Sequence, residues 1–212
     1  MKVCIVADLH GNLPEIPEHD LLLVAGDIFP GRSIRDDSTW AGRYLQPWLC
    51  KQCMPIFLEG NHDFNYINYR SQFPDLDWTV LRDSMIEING LRIYGTGWTN
   101  PIDLNHDRVS NWWGHLADEA KLEFIFKNIP EKVDILITHS PPFGILDEFD
   151  GQHYGSPSLL QQVKVKRPRY HIYGHLHCQK DRIIKTEHTT FINASLCDNN
   201  NKLINEPIVI EI

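Results

Sequence analysis

Five short apolar runs that each stop at a polar motif constrain this chain more than any other feature. The runs at residues 3–7, 21–25, 55–58, 135–138 and 171–173 read as buried strands. They lead, in order, to Asp8-Leu9-His10, Gly26-Asp27, Gly60-Asn61-His62-Asp63, His139 and Gly174-His175-Leu176-His177. In open α/β sheets, ligands bind beyond the carboxyl ends of the strands, so motifs in that position converge on one rim. Singly, each has an ordinary explanation: an Asp after a strand caps a turn, and one His is a hydrogen-bonded core imidazole. Jointly they do not. Asp8, Asp27, Asn61, His10, His139, His175 and His177 would each cost free energy if buried without a partner.

The rest of the pattern fills in an α/β fold. Residues 85–88 and 91–94 flank Asn89-Gly90, a strong hairpin signal. Residues 189–194 and 207–212 read as two more strands, joined by an Asn-rich loop at 198–201. Trp40, Tyr44 and Trp48 share a helical face, with Pro47 expected to kink or end that helix. Residues 116–129 carry Leu122, Phe126 and Ile129 on one side and a Glu123–Lys127 pair. Ser156-Pro157 opens a further helix through Val163. Strands alternating with helices, then a hairpin-rich second half, predict a mixed sheet or two packed sheets. With 212 residues and no internal repeat or linker, residues 1–212 read as a single domain.

Composition narrows the partners. No stretch approaches the ~20 apolar residues of a membrane span, and Asp8 interrupts the N-terminal run too early for a signal peptide. A cytoplasmic address is the default expectation. Five cysteines fit no secreted disulfide framework, and Cys50-x-x-Cys53 is expected to be buried structurally. A net charge of −8 disfavours a nucleic acid polymer as partner. The one basic run, 164–169, reads as a solvated helix end.

Imidazole and carboxylate together suit Zn, Mn or Fe, and the lack of Cys among the candidates argues against a closed structural zinc site. Seven ligands are too many for one tetrahedral ion and suit two ions that share a carboxylate. Two ions ~3.5–4 Å apart clamp the attacking and leaving oxygens of an in-line displacement. A water bridging them loses its proton readily and becomes the nucleophile.

The ordered motif set resembles the calcineurin-like metallophosphoesterase superfamily. Residues 138–142 (Thr-His-Ser-Pro-Pro) and 191–195 (Phe-Ile-Asn-Ala-Ser) resemble its small single-domain branch, the metallophosphoesterase-domain-containing proteins. The resemblance implies two packed mixed β-sheets flanked by helices, a four-layer sandwich with two divalent metal ions at one end. Manganese is expected first, with iron, zinc or nickel as alternatives. It implies that Asp8, His10 and His177 hold one ion, that Asn61, His139 and His175 hold the other, and that Asp27 bridges them. His62 would face the substrate and protonate the leaving oxygen as general acid, with Asp63 orienting it through a hydrogen bond. His153, in a Gly-rich loop after His139, is read as a surface or structural residue with phosphate contact as the alternative, and Trp98 as packing with a wall of the site as the alternative. Asp103, His106, His115 and His188 have no motif context and are read as surface residues.

The expected activity is therefore hydrolysis of a small phosphodiester. The nearest alternative is a phosphomonoesterase or Ser/Thr protein phosphatase, which the Ile28-Phe29-Pro30 continuation after Asp27 disfavours because that branch continues with Asp-Arg-Gly. A repair-type nuclease is disfavoured by the acidic balance. An HD-type phosphohydrolase is helical, and an amidohydrolase barrel needs about 250 residues. A non-catalytic scaffold on the same fold is the remaining alternative, and such scaffolds tend to lose ligands that this chain keeps.

Overall fold

In the computed structural model, which describes residues 1–102, 114–177 and 179–212, all five apolar runs are strands. Strands β1 (Lys2–Val6), β2 (Leu21–Ala25), β3 (Pro55–Leu58) and β4 (Thr79–Leu81) lie parallel in one sheet. The second sheet holds β5 (Ser84–Ile88), β6 (Leu91–Thr96), β7 (Ile135–Thr138), β10 (Tyr170–Tyr173), β11 (Ile183–Lys185) and β12 (Thr190–Asn193). Its order is β11-β12-β10-β7-β6-β5, parallel in the middle and antiparallel at both edges. A small hairpin, β8 (Glu148–Phe149) with β9 (Gln152–His153), stands apart from both sheets.

Side-chain alternation decides the layering. Val3, Ile5, Leu21 and Leu23 face Ile135, Ile137, Ile172 and Ile192 of the other sheet, which makes the central core. The intervening Cys4, Val6, Leu22 and Val24 face the helical layer of α1 (Ile34–Trp40), α2 (Gln46–Leu49) and α3 (Phe64–Asn68). On the far side, Leu136, Tyr173 and Phe191 meet Leu122 and Phe126 of α4 (Glu119–Phe126) and Leu159 and Val163 of α5 (Pro157–Lys166). Strands covered on both faces carry near-continuous apolar runs, as these do. The result is two mixed sheets between two helical layers.

Several local expectations are met. Asn89 (φ 50°) and Gly90 (φ 80°) both take the left-handed conformation that a tight hairpin turn requires. Ser156 caps α5 by accepting the Leu159 N–H, with Pro157 in the first turn, and Lys127 pairs with Glu123 at 2.7 Å. Lys164 and Lys166 end α5 in its last turn, as the basic run suggested.

Others are corrected. The helix carrying Trp40 passes through a π-turn at Ala41–Leu45, where Gln46 N–H bonds Ala41 O, five residues back. The wider turn accommodates Pro47, so the helix runs on to Leu49. It also shifts the phase: Trp48 stays buried while Tyr44 is 51% exposed, so the three rings do not share a face. Cys50 and Cys53 are exposed, because they lie beyond the last turn of α2 where the chain crosses the surface to β3. The strands β12 and β13 (Ile208–Glu211) fall in different sheets: β13 pairs antiparallel with β1, and the Asn-rich loop crosses between layers. Asp103 and His106 lie outside the described residues.

At their carboxyl ends the sheets are stitched together. Ala7 N–H bonds Ala194 O at 3.0 Å, Leu196 N–H bonds Ala7 O at 3.1 Å, and Ala194 N–H bonds Tyr173 O at 2.7 Å. These bonds bring the end of β1 beside the ends of β10 and β12. Among the described residues, no helix is long and apolar enough to cross a membrane.

One core side chain acts at this rim from behind. Thr138 Oγ1 donates to Ser140 O at 2.5 Å, so it accepts from His171 Nε2–H at 2.9 Å. That fixes the His171 tautomer and steadies the turn bearing His139. Burial pushes the His171 pKa down to about 3, well below its ordinary value near 6.5. The unfolded chain then binds a proton that the folded chain refuses, so His171 lowers stability as pH falls below about 6.5. Chemical denaturation between pH 6.5 and 4 should show the wild type losing ~1.4 kcal/mol per pH unit more than His171→Phe. Parallel curves for the two proteins would show that His171 is protonated in the folded state.

Candidate metal centre

Each motif residue is placed by a strand end, and four of them by strained backbone. Asp8 (φ 52°), His10 (φ 44°), Asp27 (φ 56°) and His175 (φ 70°) all have left-handed conformations. Such residues cost on the order of 1–3 kcal/mol each and persist where surrounding structure holds them. The hold is visible. His10 N–H bonds Asp27 O at 2.9 Å, Asp8 N–H bonds Gly26 O at 3.0 Å, and His175 N–H bonds both Asp8 carboxylate oxygens at 3.0 and 3.1 Å. Gly60 and Gly174 allow the loops to close this far, since a Cβ at either would overlap the Asp27 or Asp8 carboxylate.

Two clusters of donor atoms result, each with all its atoms within 4.8 Å of one another: Asp8 with His10 and His177, and Asp8 with Asp27 and His139. His10 Nε2 and His177 Nε2 lie 3.3 Å apart. Asp27 Oδ2 is 3.3 Å from His139 Nε2 and 4.0 Å from His10 Nε2, so one oxygen reaches towards both clusters. Asn61 joins the second cluster through Oδ1, 3.0 Å from His139 Nε2, while its buried Nδ2 has no partner among the described residues. His175 stands just outside both, its ring 5.0 Å from that of His139.

Three backbone carbonyls set the imidazole tautomers. His139 Nδ1 donates to Ala25 O (3.0 Å), His177 Nδ1 to Asp198 O (3.0 Å) and His175 Nε2 to Asn100 O (3.1 Å). In the neutral rings this leaves Nε2 of His139 and His177, and Nδ1 of His175, as the lone pairs, an arrangement typical of metal-ligating histidines.

Electrostatics divide the imidazoles. Burial holds His10 down to about 4 and, with the neighbouring His139, His175 down to about 3, so both keep their lone pairs. Burial also opposes charge on His139, but the Asp27 carboxylate outweighs it and raises His139 to about 9. His177 is raised likewise, its burial outweighed by the Asp8 carboxylate. Burial works against the charge of Asp27 as well, and the imidazoles of His139 and His62 overcome it, holding that carboxyl well below its ordinary value. Protons thus sit among converging N and O donors, where divalent cations would replace them. The donor set fits two such ions.

A model of the calcineurin-like phosphoesterase family matches residues 1–179. The chain belongs to that family. It is 36% identical to the human metallophosphoesterase domain-containing protein 1, over 99% of this chain and 70% of that protein. It is 28% identical to a UPF0046 protein of Caenorhabditis elegans, over 100% of this chain and 75% of the relative. In fold it is similar to a phosphopantetheinyl hydrolase of Mycobacterium tuberculosis, with a TM-score of 0.58 at 15% identity over 94% of this chain and 90% of that one. Family membership supports metal-dependent hydrolysis of a phosphoric ester.

As a calcineurin-like phosphoesterase, the chain departs in one respect from what its motifs implied. Asp63 does not hydrogen-bond the His62 ring. Its carboxylate instead accepts four backbone N–H groups, from Asp27 and Gly60 at 2.8 Å and from Ile28 and Phe29 at 3.0 Å. Asp63 is fully buried at the start of a helical turn, with its side chain directed back under the β2 and β3 loops. His62 is half-buried at the mouth, its N–H donating to Asp27 Oδ1 at 2.8 Å and its ring edge-on to His10 at 5.0 Å.

Nearby residues also sort themselves. Trp98 packs, as read, with its ring on His115 (5.1 Å) and Lys121 Nζ 4.0 Å above it. His115 is therefore half-buried and not a surface residue, whereas His188 is exposed. The sequence reading missed Asn100 and Asp198, because each serves through a backbone carbonyl that any residue supplies.

Two outcomes are expected. Titrating the metal-free protein near pH 7.5 should release on the order of one proton or more as His139 and His177 give up theirs. Calorimetry in buffers of different ionisation enthalpy reads this directly, and a buffer-independent heat would contradict the assignment. Asp63→Asn replaces one acceptor with a donor facing backbone N–H groups and should cost about 3 kcal/mol in urea unfolding. A loss below about 1 kcal/mol would show that the four bonds matter little.

Proposed function

We propose that the 212 residues act as one dinuclear phosphodiesterase domain for a small substrate. The observation that carries this reading is Asp27 Oδ2, which reaches towards both donor clusters while Asp27 Oδ1 holds the His62 N–H at the mouth. In this reading Asp8, His10 and His177 hold one cation, Asn61, His139 and His175 the other, and Asp27 lies between. Manganese is the first ion to test. Two cations there would neutralise the phosphate and lower the pKa of an attacking water.

The chain's own groups do the rest. His10, half-buried but with its ring almost fully enclosed, and buried Asp27 line the floor, and their fixed positions orient the phosphate against the water. Asn61 Nδ2, without a partner among the described residues, would donate to a phosphate oxygen. His62, on the open side, delivers the proton to the departing ester oxygen. An alkoxide gains most from that proton, which favours a diester with a poor leaving group.

Substrate size follows from the surroundings. Ile28 and Phe29, after Asp27, are buried in the core, with their N–H groups taken by Asp63. Those two residues therefore present no side chain to a phosphoprotein. The net charge of −8 gives a long polyanion little counterion-release energy. Beside the centre, past Asn100, lies a cavity of about 710 Å³, enough for one ester group.

With manganese added, bis-aryl or nucleoside aryl phosphodiesters and 2′,3′-cyclic nucleotides should surpass phosphoserine peptides in kcat/KM. Phosphopeptides hydrolysed tenfold faster would restore the protein phosphatase reading. His62→Ala should slow turnover by about 10²–10⁴-fold with metal content unchanged, most for alkyl leaving groups. Equal losses for nitrophenyl and alkyl esters would remove His62 from the role of acid.

A further inference from the structure

The hairpin β8–β9 is four exposed residues, too little to be held by burial. What fixes it is Asp147, a fully buried carboxylate just before it. Asp147 Oδ2 accepts the N–H groups of Gly144 and Gly155, both at 2.9 Å, and Oδ1 accepts His153 Nδ1–H at 2.7 Å. Gln179 Nε2 adds one bond to Glu148 O at 2.8 Å. A buried carboxylate that satisfies two loop N–H groups and one imidazole sets the direction of that imidazole. With the proton of Nδ1 committed, Nε2 is the end left for other partners, and the His153 side chain is 45% exposed.

His153 borders the cavity of about 710 Å³, together with Asn100, Phe143 and Tyr154. Its ring lies 5.5 Å from that of Phe143. The same cavity touches the metal centre through two bonds. Asn100 Nδ2 donates to Tyr154 O, one residue from His153, and Asn100 O accepts from His175 Nε2 at 3.1 Å. An ester group leaving the centre over Asn100 therefore meets an aromatic face and an aimed imidazole. This is the pattern of a ligand pocket: mostly apolar walls with a few placed polar groups.

We propose that His153, aimed by the positioning residue Asp147, is a substrate-binding side chain. Through the Nε2 lone pair it accepts a hydrogen bond from a donor on an aryl or heteroaryl ester group that lies along Phe143 while the phosphate sits at the centre. The proposal rests on the phosphoesterase reading above and adds the class of ester group. An apolar pocket with one placed hydrogen-bond acceptor selects for flat groups bearing a donor and gains little from a bare alkyl ester.

Two non-hydrolysable probes separate the parts. Methylphosphonate occupies the centre alone, whereas 4-aminophenylphosphonate adds a flat group with a donor. Calorimetry on the manganese-loaded protein should find His153→Ala weakening 4-aminophenylphosphonate about tenfold. Methylphosphonate affinity and metal content should stay within twofold of wild type. His153→Gln, which keeps a side-chain acceptor, should recover part of the loss. If wild type binds both probes and His153→Ala binds them equally well, this inference is wrong and the phosphoesterase reading stands. If His153→Ala weakens both probes alike, the side chain supports the centre and not the ester group, which also overturns it. A loaded wild type that binds neither probe overturns the phosphoesterase reading and this inference with it.

Discussion

The Asp63 carboxylate, buried beneath the rim, accepts four backbone N–H groups from the loops that follow β2 and β3. Burial and the adjacent Asp27 charge push the Asp63 pKa up, and the four donors work against that rise. Three of those donors belong to consecutive residues, Asp27, Ile28 and Phe29, which cannot all point at one carboxylate while the chain stays extended. The loop must curl, and Asp27 takes φ 56° in doing so. That curl turns the Asp27 side chain away from the core and towards His139 and His62. The residue that the sequence suggests as an orienter of one side chain instead shapes the backbone on which the central carboxylate stands.

The same economy runs through the rest of the centre. The parallel strands of both sheets deliver their last residues to one end, and the bonds linking Ala7 with Ala194 and Leu196 hold the two sheets in line there. His139 belongs to one sheet, but its Nδ1 donates to Ala25 at the end of β2 in the other. Asp8 belongs to the first sheet, but it caps the His175 N–H of the second. The last two of these bonds use residues of the donor clusters, so site geometry and sheet packing are coupled. Loss of a candidate ligand here removes a structural contact together with a donor.

Much of this was legible in the sequence because strand ends are punctuated by composition. Apolar runs ending in Asp, Asn or His place both the strands and the donors, and the alternation within them yields the two faces of each sheet. Legibility fails where the deciding group has no residue identity or where local geometry departs from its usual period. The π-turn at 41–45 adds a residue to the helical repeat, so Tyr44 leaves the face that its spacing implies. Cys50 and Cys53 follow an apolar segment, yet the helix ends before them and leaves both at the surface. Asp63 reads as an orienter of His62 and Asp147 carries no motif, because a pattern of residues does not show which backbone N–H groups a fold will turn towards a carboxylate.

The tautomers of the three imidazoles show the limit most sharply. Ala25, Asn100 and Asp198 each supply a carbonyl oxygen to one ring nitrogen of His139, His175 or His177. Each bond commits one ring proton outward and thereby turns one lone pair inward. What matters at these positions is the path of the main chain, which is set by the end of a strand at Ala25, by the bonds of the Asn100 side chain to Ser140 and Tyr154, and by a turn capped through Asp198 Oδ1. The side chain at 25 can therefore vary in chemistry as long as the strand survives, whereas the Asp198 carboxylate is what caps its own turn. Asn100 cannot vary either, because its amide is what fixes its own carbonyl. The outer ring of this centre is thus a property of backbone placement, with the Asn100 amide and the Asp198 carboxylate as the side chains that secure it.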